Sequence, residues 1–263
     1  MKLDQLTKEP AYQFYRQLLD EFPESQIFAV GGMVRDTILE RTTKDFDFIV
    51  RGVDKNILEK WLTENGKLEL VGRNFGIYKF RHNHTDDQKI PFVDIALPRT
   101  EHSSATGHGG IRDFDVQSDP MLPIESDLAR RDFTMNAMAY DLKTETLIDP
   151  YNGLHDLETK KIRAVGNPEE RFQEDLTRIL RAIRFAAQLG FSIEEKTFKA
   201  AKKLSRRIND QRMVQGAEKK EFIVAREKIG EELSKAFIVD PMRTLEILQE
   251  TRIFEILFPE IQA

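Results

Sequence analysis

Three carboxylates, a glycine pair and a set of arginines are the groups whose types and spacing could do chemistry in this chain. Asp45 and Asp47 alternate within KDFDFIV, and along an extended strand alternate side chains project to the same side. That arrangement presents two carboxylates to a cation. Asp94 stands inside the apolar stretch VDIAL, where a carboxylate without a partner is costly to desolvate. Taken alone, Asp94 reads as one half of a structural salt bridge; beside Asp45 and Asp47, a third metal-facing carboxylate is the better reading. Gly31-Gly32 follows the apolar run at 27–30 and precedes a helical turn or two over 33–40, so its backbone N–H groups can approach an anion closely. Carboxylates that hold two Mg²⁺ ions, with a glycine turn and arginines nearby, describe phosphoryl transfer. One ion activates the attacking hydroxyl and the other clamps the triphosphate and the departing pyrophosphate.

The elements that must position these groups follow from hydrophobic periodicity. Residues 27–30 and 46–50 read as strands, and Tyr12, Tyr15, Leu18 and Leu19 recur at helical spacing over 11–21. A second helix spans 56–65 and stops at Asn65-Gly66, with Trp61 in the core. Strands follow at 68–71, 77–80 and 92–97, with a hairpin at 83–87. His82 and His84 share a strand face and could bind metal, but they flank a polar hairpin tip, which disfavours that role. Residues 99–126 form a long polar loop of the kind that is functional or mobile. The stretch 128–139 reads as a helix that enters the core through Phe133, Ala137 and Met138. On it Arg130 and Arg131 are candidates for phosphate or ribose contacts, with plain surface charge as the alternative. A short strand lies at 147–150, and Gly166-Asn167-Pro168 marks a boundary. Beyond it helices are expected over 169–189, 193–204, 220–237 and 242–254. The reading is an α/β domain over 1–165 followed by a helical one over 166–263.

Composition narrows the class. The 263 residues are 40% hydrophobic and 32% charged, as in an ordinary globular protein. Without cysteine there is no disulfide, no thiolate zinc site and no thiol catalysis, and a reducing, cytoplasmic setting is expected. No apolar run approaches the roughly 20 residues of a membrane helix, so a soluble protein is expected. The net charge of −5 argues against a protein that coats nucleic acid nonspecifically. Residues 196–212 are locally basic, with Asp210 as their single acid, and read equally as an RNA-tracking surface or a solvated helix face.

Taken in order, FAVGGMVRDTIL with KDFDFIV, VGRNFGIYKF, VDIALPRTE, DLARRDFTMNAMAYD, LIDPYNGLHDLETKKIRAVG and EDLTRILRAIRFAAQLGF closely resemble the class II tRNA nucleotidyltransferases. These CCA-adding enzymes share a superfamily with bacterial poly(A) polymerases, and the resemblance covers 28–191 motif by motif. It implies an α+β fold: a polymerase-β-like nucleotidyltransferase head, with a mixed sheet and flanking helices, followed by an all-α neck and the start of a body. It carries the metal role onto Asp45 and Asp47, with Asp94 a third carboxylate near the primer hydroxyl. Gly31, Gly32 and Arg35 would serve the triphosphate, and Arg131 and Asp132 would lie by the sugar and phosphates. The base-reading motif Glu-Asp-x-x-Arg falls on Glu174, Asp175 and Arg178, and Arg181 is a secondary nucleotide or structural contact. Asn136 fits either ordering of the ribose region or a buried capping role. The implied substrates are ATP and CTP, with Mg²⁺, and the implied partner is the tRNA 3′ end.

Chemistry supports the base-reading assignment separately. Asp175 and Arg178 stand three apart on the expected helix and would share a face, with an intrahelical ion pair as the simpler alternative. Cytosine and adenine each offer an amino donor beside a ring-nitrogen acceptor, whereas guanine and uracil offer a carbonyl and a ring N–H. A carboxylate next to a guanidinium complements the first pair. In the family the stretch EILQETRIFEILFPEI is followed by more helices, which puts tRNA affinity and measurement of the CCA end in doubt. Three readings stay open: a tRNA nucleotidyltransferase adding CCA, CC or A; a poly(A) polymerase, disfavoured by VGRNFGIYKF and FTMNAMAYD; and a noncatalytic nucleotide- or RNA-binding module.

Overall fold

The computed structural model describes residues 2–8, 12–43, 46–72, 77–83, 92–103, 114–213 and 220–262. It divides into two compact units. The first comprises Met1–Glu101, Val116–Arg131 and Met135–Leu154, and the second His102–Asp115, Asp132–Thr134 and His155–Ala263. Asp45, His84 and residues 84–87 of the hairpin expected at 83–87 lie outside the described residues, as does the middle of the long loop at 104–113.

In chain order the first unit holds α1 (Phe14–Glu21), β1 (Gln26–Val30), α2 (Gly32–Ile38), β2 (Asp47–Arg51), α3 (Lys55–Asn65), β3 (Gly66–Gly72), β4 (Ile77–His82) and β5 (Val93–Ala96). Strands β6 (Arg99–Ser103) and β7 (Phe114–Ser118) pair with each other as a separate ladder. After them come α4 (Ile124–Ala129), β8 (Ala139–Asp141) and β9 (Thr146–Ile148). Seven strands form one mixed sheet in the order β3-β4-β5-β2-β1-β8-β9. Among the described strands of this sheet β2 and β5 form the one parallel pair, joined by the long excursion through α3, β3 and β4 that a parallel connection needs.

The strand at the centre of this arrangement is held by aromatic packing. Phe48 meets Phe14 edge-on at 5.4 Å between ring centroids and Tyr12 at 5.3 Å, and Phe14 in turn meets Phe80 at 5.6 Å. Tyr12 also contacts Phe46. Burying a ring of this size contributes about 1.5–3 kcal/mol. With Phe46 and Phe48 committed to that layer, the strand period turns Asp47 to the opposite face. Trp61 is buried as expected and donates from Nε1 to Glu21 Oε2 at 2.7 Å. Asp54 caps α3 by accepting from the Asn56 and Ile57 N–H groups. Gly66 ends that helix without a left-handed turn: a Cβ there would lie 2.4 Å from both the Arg81 carbonyl and the Phe80 ring, so close strand approach demands glycine.

The expected helix over 128–139 is corrected by the structure. Helix α4 ends at Ala129, a turn carries Arg130 to Asp132, and a 3-10 turn (Thr134–Asn136) leads into β8. The physical reason is local competition for the backbone. Asp132 accepts the N–H of Phe133 at 2.8 Å, while Thr134 N–H donates to the Arg163 carbonyl and Val165 N–H to the Asp132 carbonyl.

The largest segment of the second unit starts within α5 (Gly153–Glu158) and continues through β10 (Lys161–Ile162), α6 (Pro168–Glu174), α7 (Thr177–Leu189), β11 (Ser192–Ile193) and α8 (Glu195–Leu204). After β12 (Gln211–Met213) and β13 (Lys220–Phe222) it ends in α9 (Arg226–Val239), α10 (Pro241–Glu250) and α11 (Ile253–Leu257). It is predominantly helical, with two short ladders, β10-β11 and β12-β13, that hydrophobic periodicity does not reveal. The boundary at Gly166-Asn167-Pro168 is a helix start: Gly166 has φ +69°, Asn167 accepts the Glu169 N–H at 3.0 Å, and Pro168 opens α6. The single helix expected over 169–189 is broken at Asp175, which is extended (φ −146°, ψ 103°) between α6 and α7. Among the described residues no helix is long and apolar enough to cross a membrane.

Candidate active site

Within the first unit, β1 runs straight into the Gly31 turn and α2. Gly31 adopts φ +67° and ψ −132°, a conformation that favours glycine. A Cβ on Gly31 would lie 2.7 Å from Nη1 of Arg131 and 3.8 Å from Oδ2 of Asp47. The missing side chain therefore makes the space that the Arg131 guanidinium fills, and it brings the turn, the arginine and the carboxylate together. Gly32 opens α2, so its N–H stands in the first turn of that helix.

Asp47 and Asp94 are register partners on the parallel pair β2-β5, and Lys79 on β4 is the register partner of Asp94. Neighbouring strands lie about 4.8 Å apart, so the three charges form a row on one face of the sheet. Both aspartates are half-buried. Side-by-side carboxylates repel unless cations stand near them, and the register sets Lys79 on the strand next to Asp94. Their hard oxygen donors fit Mg²⁺ rather than a soft metal. Among the described residues no three metal-ligating side chains gather at one point, and Asp45, the remaining expected ligand, is outside them.

Arg131 is held from behind. Asp127, fully buried on α4, takes Nε and Nη2 of Arg130 on Oδ1 at 2.9 and 2.7 Å, and Nε and Nη2 of Arg131 on Oδ2 at 3.2 and 3.0 Å. Burial pushes the Asp127 carboxyl up, but the Arg131 and Arg130 guanidiniums outweigh it and hold it below the usual carboxylate range. Nη1 of Arg131 donates to the Asn136 carbonyl at 3.3 Å. Asn136 also accepts Nη1 of Arg35 on Oδ1 at 2.8 Å, and Arg35 forms a two-pronged pair with Asp36 at 2.9 Å on each oxygen. Arg35 is thus a buried member of the framework under the turn. Asp127 was not among the residues expected from sequence, although it precedes Arg130 and Arg131 by three and four positions, the spacing of helical ion pairs. His82 is buried with Nε2 2.9 Å from Gln17 Oε1.

In the second unit Asp132 and Arg181 pair with each other. Nε and Nη2 of Arg181 donate to Oδ2 of Asp132 at 2.8 and 2.5 Å, and the aspartate raises the arginine further above its ordinary value. The same guanidinium lies 5.5 Å from the centre of the Phe185 ring.

The break at Asp175 changes the expected geometry of the base-reading motif. Asp175 and Arg178 do not sit on one continuous helix: Asp175 starts α7 from outside, its Oδ1 accepting Thr177 N–H at 2.9 Å and Thr177 Oγ1 at 2.6 Å. Both bonds fall on Oδ1, and among the described residues no hydrogen bond to Oδ2 is seen. Burial raises the Asp175 carboxyl, opposed by the Thr177 hydrogen bond and Arg178. Arg178 Nη1 donates to Glu174 Oε2 at 2.7 Å and to the Arg171 carbonyl at 3.0 Å, while Arg171 shares the same Glu174 oxygen at 2.9 Å. The ion pair within the motif is therefore Glu174–Arg178. In the basic stretch 196–212, several cations already have acidic neighbours: Lys199 with Glu195, Lys203 with Glu169, Arg212 with Glu221.

Residues 27–163 match the family model described as the poly(A) polymerase head domain, and that span contains the glycine turn, the in-register aspartates and the Asp127–Arg131 framework. The chain belongs to the class II tRNA nucleotidyltransferase and bacterial poly(A) polymerase family. It is 35% identical over 242 residues to the Multifunctional CCA protein of Stenotrophomonas maltophilia, which covers 90% of this chain and 52% of that protein. Among solved structures it resembles the Thermotoga maritima CCA-adding enzyme complexed with tRNA, at 26% identity and a TM-score of 0.71 over 99% of this chain and 56% of that one. It also resembles the Bacillus stearothermophilus CCA-adding enzyme in complex with CTP, at 27% identity and a TM-score of 0.70 over 93% of this chain and 53% of that one. The chain spans about half the length of these family members.

Proposed function

We propose that this chain carries the nucleotide-transferring part of a template-independent, metal-dependent nucleotidyltransferase that adds C and A residues to the 3′ end of tRNA. The observation that carries the reading is the in-register pair Asp47–Asp94 on the face that meets the Gly31 turn and Arg131. Relatives in the family are CCA proteins, and one solved neighbour holds CTP and another tRNA. The alternation of KDFDFIV assigns Asp45 with Asp47 to the metal, and Asp94, the register partner of Asp47, to the primer hydroxyl. Two Mg²⁺ ions bound there would supply activation of that hydroxyl and neutralisation of the triphosphate. The protein's own work is positioning and electrostatics, as phosphoryl transfer requires. The Gly31-Gly32 backbone and Arg131 receive the phosphates, with Arg35 holding the floor of that turn through Asn136.

Base choice is assigned to residues 166–263, at Asp175 and Arg178. The open Oδ2 of Asp175 accepts the amino group that cytosine and adenine share, and Arg178, aimed by Glu174 and the Arg171 carbonyl, donates to the ring nitrogen. Each such bidentate contact is worth about 1–3 kcal/mol of discrimination. Arg181 and Asp132, locked to each other, serve nucleotide binding by holding the start of α7 in place. A cytoplasmic location follows from the reaction, because its tRNA substrate resides there.

The test is to incubate the protein with Mg²⁺, a tRNA that ends before its CCA, and CTP and ATP separately and together, then to sequence the 3′ ends. Addition of CCA, or of CC or A alone, is the expected result and fixes the branch. A long A tract would replace the reading with poly(A) polymerase, and nucleotide binding without any pyrophosphate release would leave a noncatalytic module.

A further inference from the structure

Asp127 has no role in the reading above, yet it is the most deeply buried charged group near the Gly31 turn. A buried carboxylate is retained at a high desolvation cost, and here two guanidiniums offset it, each giving two N–H groups to one oxygen. The geometry has a directional result. With Nε and Nη2 of Arg131 committed to Asp127, Nη1 is the nitrogen that points to the Gly31 turn, at 2.7 Å from where a Cβ would stand. Oδ2 of Asp47 is 3.8 Å from that same point, the nearest carboxylate oxygen to it among the described residues. Released from Asp127, the guanidinium would be drawn to Asp47 and would pair with a metal ligand. Arg130 and Arg131 would also repel each other without the anion between them.

We propose that Asp127 is a positioning residue for the nucleoside triphosphate: it fixes the Arg131 guanidinium under the Gly31 turn, facing the phosphates and kept off Asp47. The proposal rests on the nucleotidyltransferase reading. It differs from a purely structural role in what it predicts for ligands that share a base but differ in phosphate number.

The experiment is calorimetric titration of the full chain with CTP and with CMP in the presence of Mg²⁺, for the wild type, Asp127→Asn, Arg131→Met and the double variant. Asp127→Asn should weaken CTP about tenfold, the effect of one misdirected charge-assisted hydrogen bond, and leave CMP within about twofold. In the Arg131→Met background the same substitution should add no further loss for CTP. Equal losses for CTP and CMP, or additive losses in the double variant, would overturn the proposal while the triphosphate reading stands. A wild type that binds CTP no better than CMP would overturn both. If Asp127→Asn gives no cooperative melting transition, Asp127→Glu carries the comparison: the charge is kept, the guanidinium is displaced by a methylene, and CTP affinity should fall about threefold. Unchanged CTP affinity in a folded Asp127→Glu protein would also overturn it.

Discussion

Around Gly31, groups from distant parts of the chain meet. Asp47 and Asp94 are neighbours because β2 and β5 pair in parallel, Arg131 reaches a turn formed near the start of the chain, and Arg35 bonds to Asn136 across 101 positions. Around Asp175 the bonds seen among the described residues join near neighbours: Thr177 is two positions away, Glu174 and Arg178 are four apart, and Arg171 and Arg178 seven apart. In the first region the sheet holds the backbone whatever the functional side chain is. In the second, the side chain assigned to base choice also starts a helix. Substitutions should therefore separate chemistry from stability around Gly31 and mix the two around Asp175.

The largest effect is expected from Asp47→Asn. Transfer should fall by about 10³-fold or more, in line with loss of a group that stabilises transition-state charge, while the melting temperature changes little because the aromatic layer behind Phe48 is untouched. Near-normal turnover in the folded variant would remove the metal assignment. Gly31→Ala comes next. The new methyl must displace the Arg131 guanidinium, and the left-handed backbone adds roughly 1–2 kcal/mol of strain. Triphosphate affinity should drop by about 10–100-fold, read by titration with CTP; wild-type affinity would mean that the turn and Arg131 do not face the phosphates.

Asp175→Ala sharpens the contrast by moving two observables at once. Loss of the cap should cost about 1 kcal/mol in denaturant unfolding, and preference for C and A should relax. Stability loss with unchanged preference would leave only the capping role. Arg181→Met should destabilise the protein by about 1–3 kcal/mol by leaving the mostly buried Asp132 carboxylate without its two-pronged donor. The smallest effect concerns the basic stretch 196–212. Lys202→Ala should lower the salt dependence of tRNA binding by about one unit of slope if that lysine meets a phosphate, and an unchanged slope would mark a solvated helix face.

The same contrast governs what could be read without coordinates. The glycine turn was legible, because an apolar run, two glycines and a helical period are all local, and so was the alternation that turns Asp47 away from Phe48. That Asp94 is the register partner of Asp47 was not, since a strand period assigns faces and says nothing about which strands pair. The buried bond from Arg35 to Asn136 was hidden for the same reason. The end of α4 at Ala129 escaped because Phe133, Ala137 and Met138 keep a helix-like apolar spacing while the backbone beneath them turns. At Asp175 the apolar period of Phe172, Leu176, Ile179 and Leu180 likewise runs on across a break made by one carboxylate. Only the identity of Asp175, a residue type that caps helices, pointed the other way.

The central claim is that phosphate and metal chemistry belongs to the Gly31–Asp47 region and base choice to Asp175 and Arg178. It is tested most directly by the ratio of kcat/KM for CTP to that for UTP, measured on wild type and Asp175→Ala with a tRNA ending before its CCA. The ratio should fall by about tenfold or more in the variant, the value of one bidentate base contact. An unchanged ratio in a folded variant that incorporates both nucleotides would contradict it.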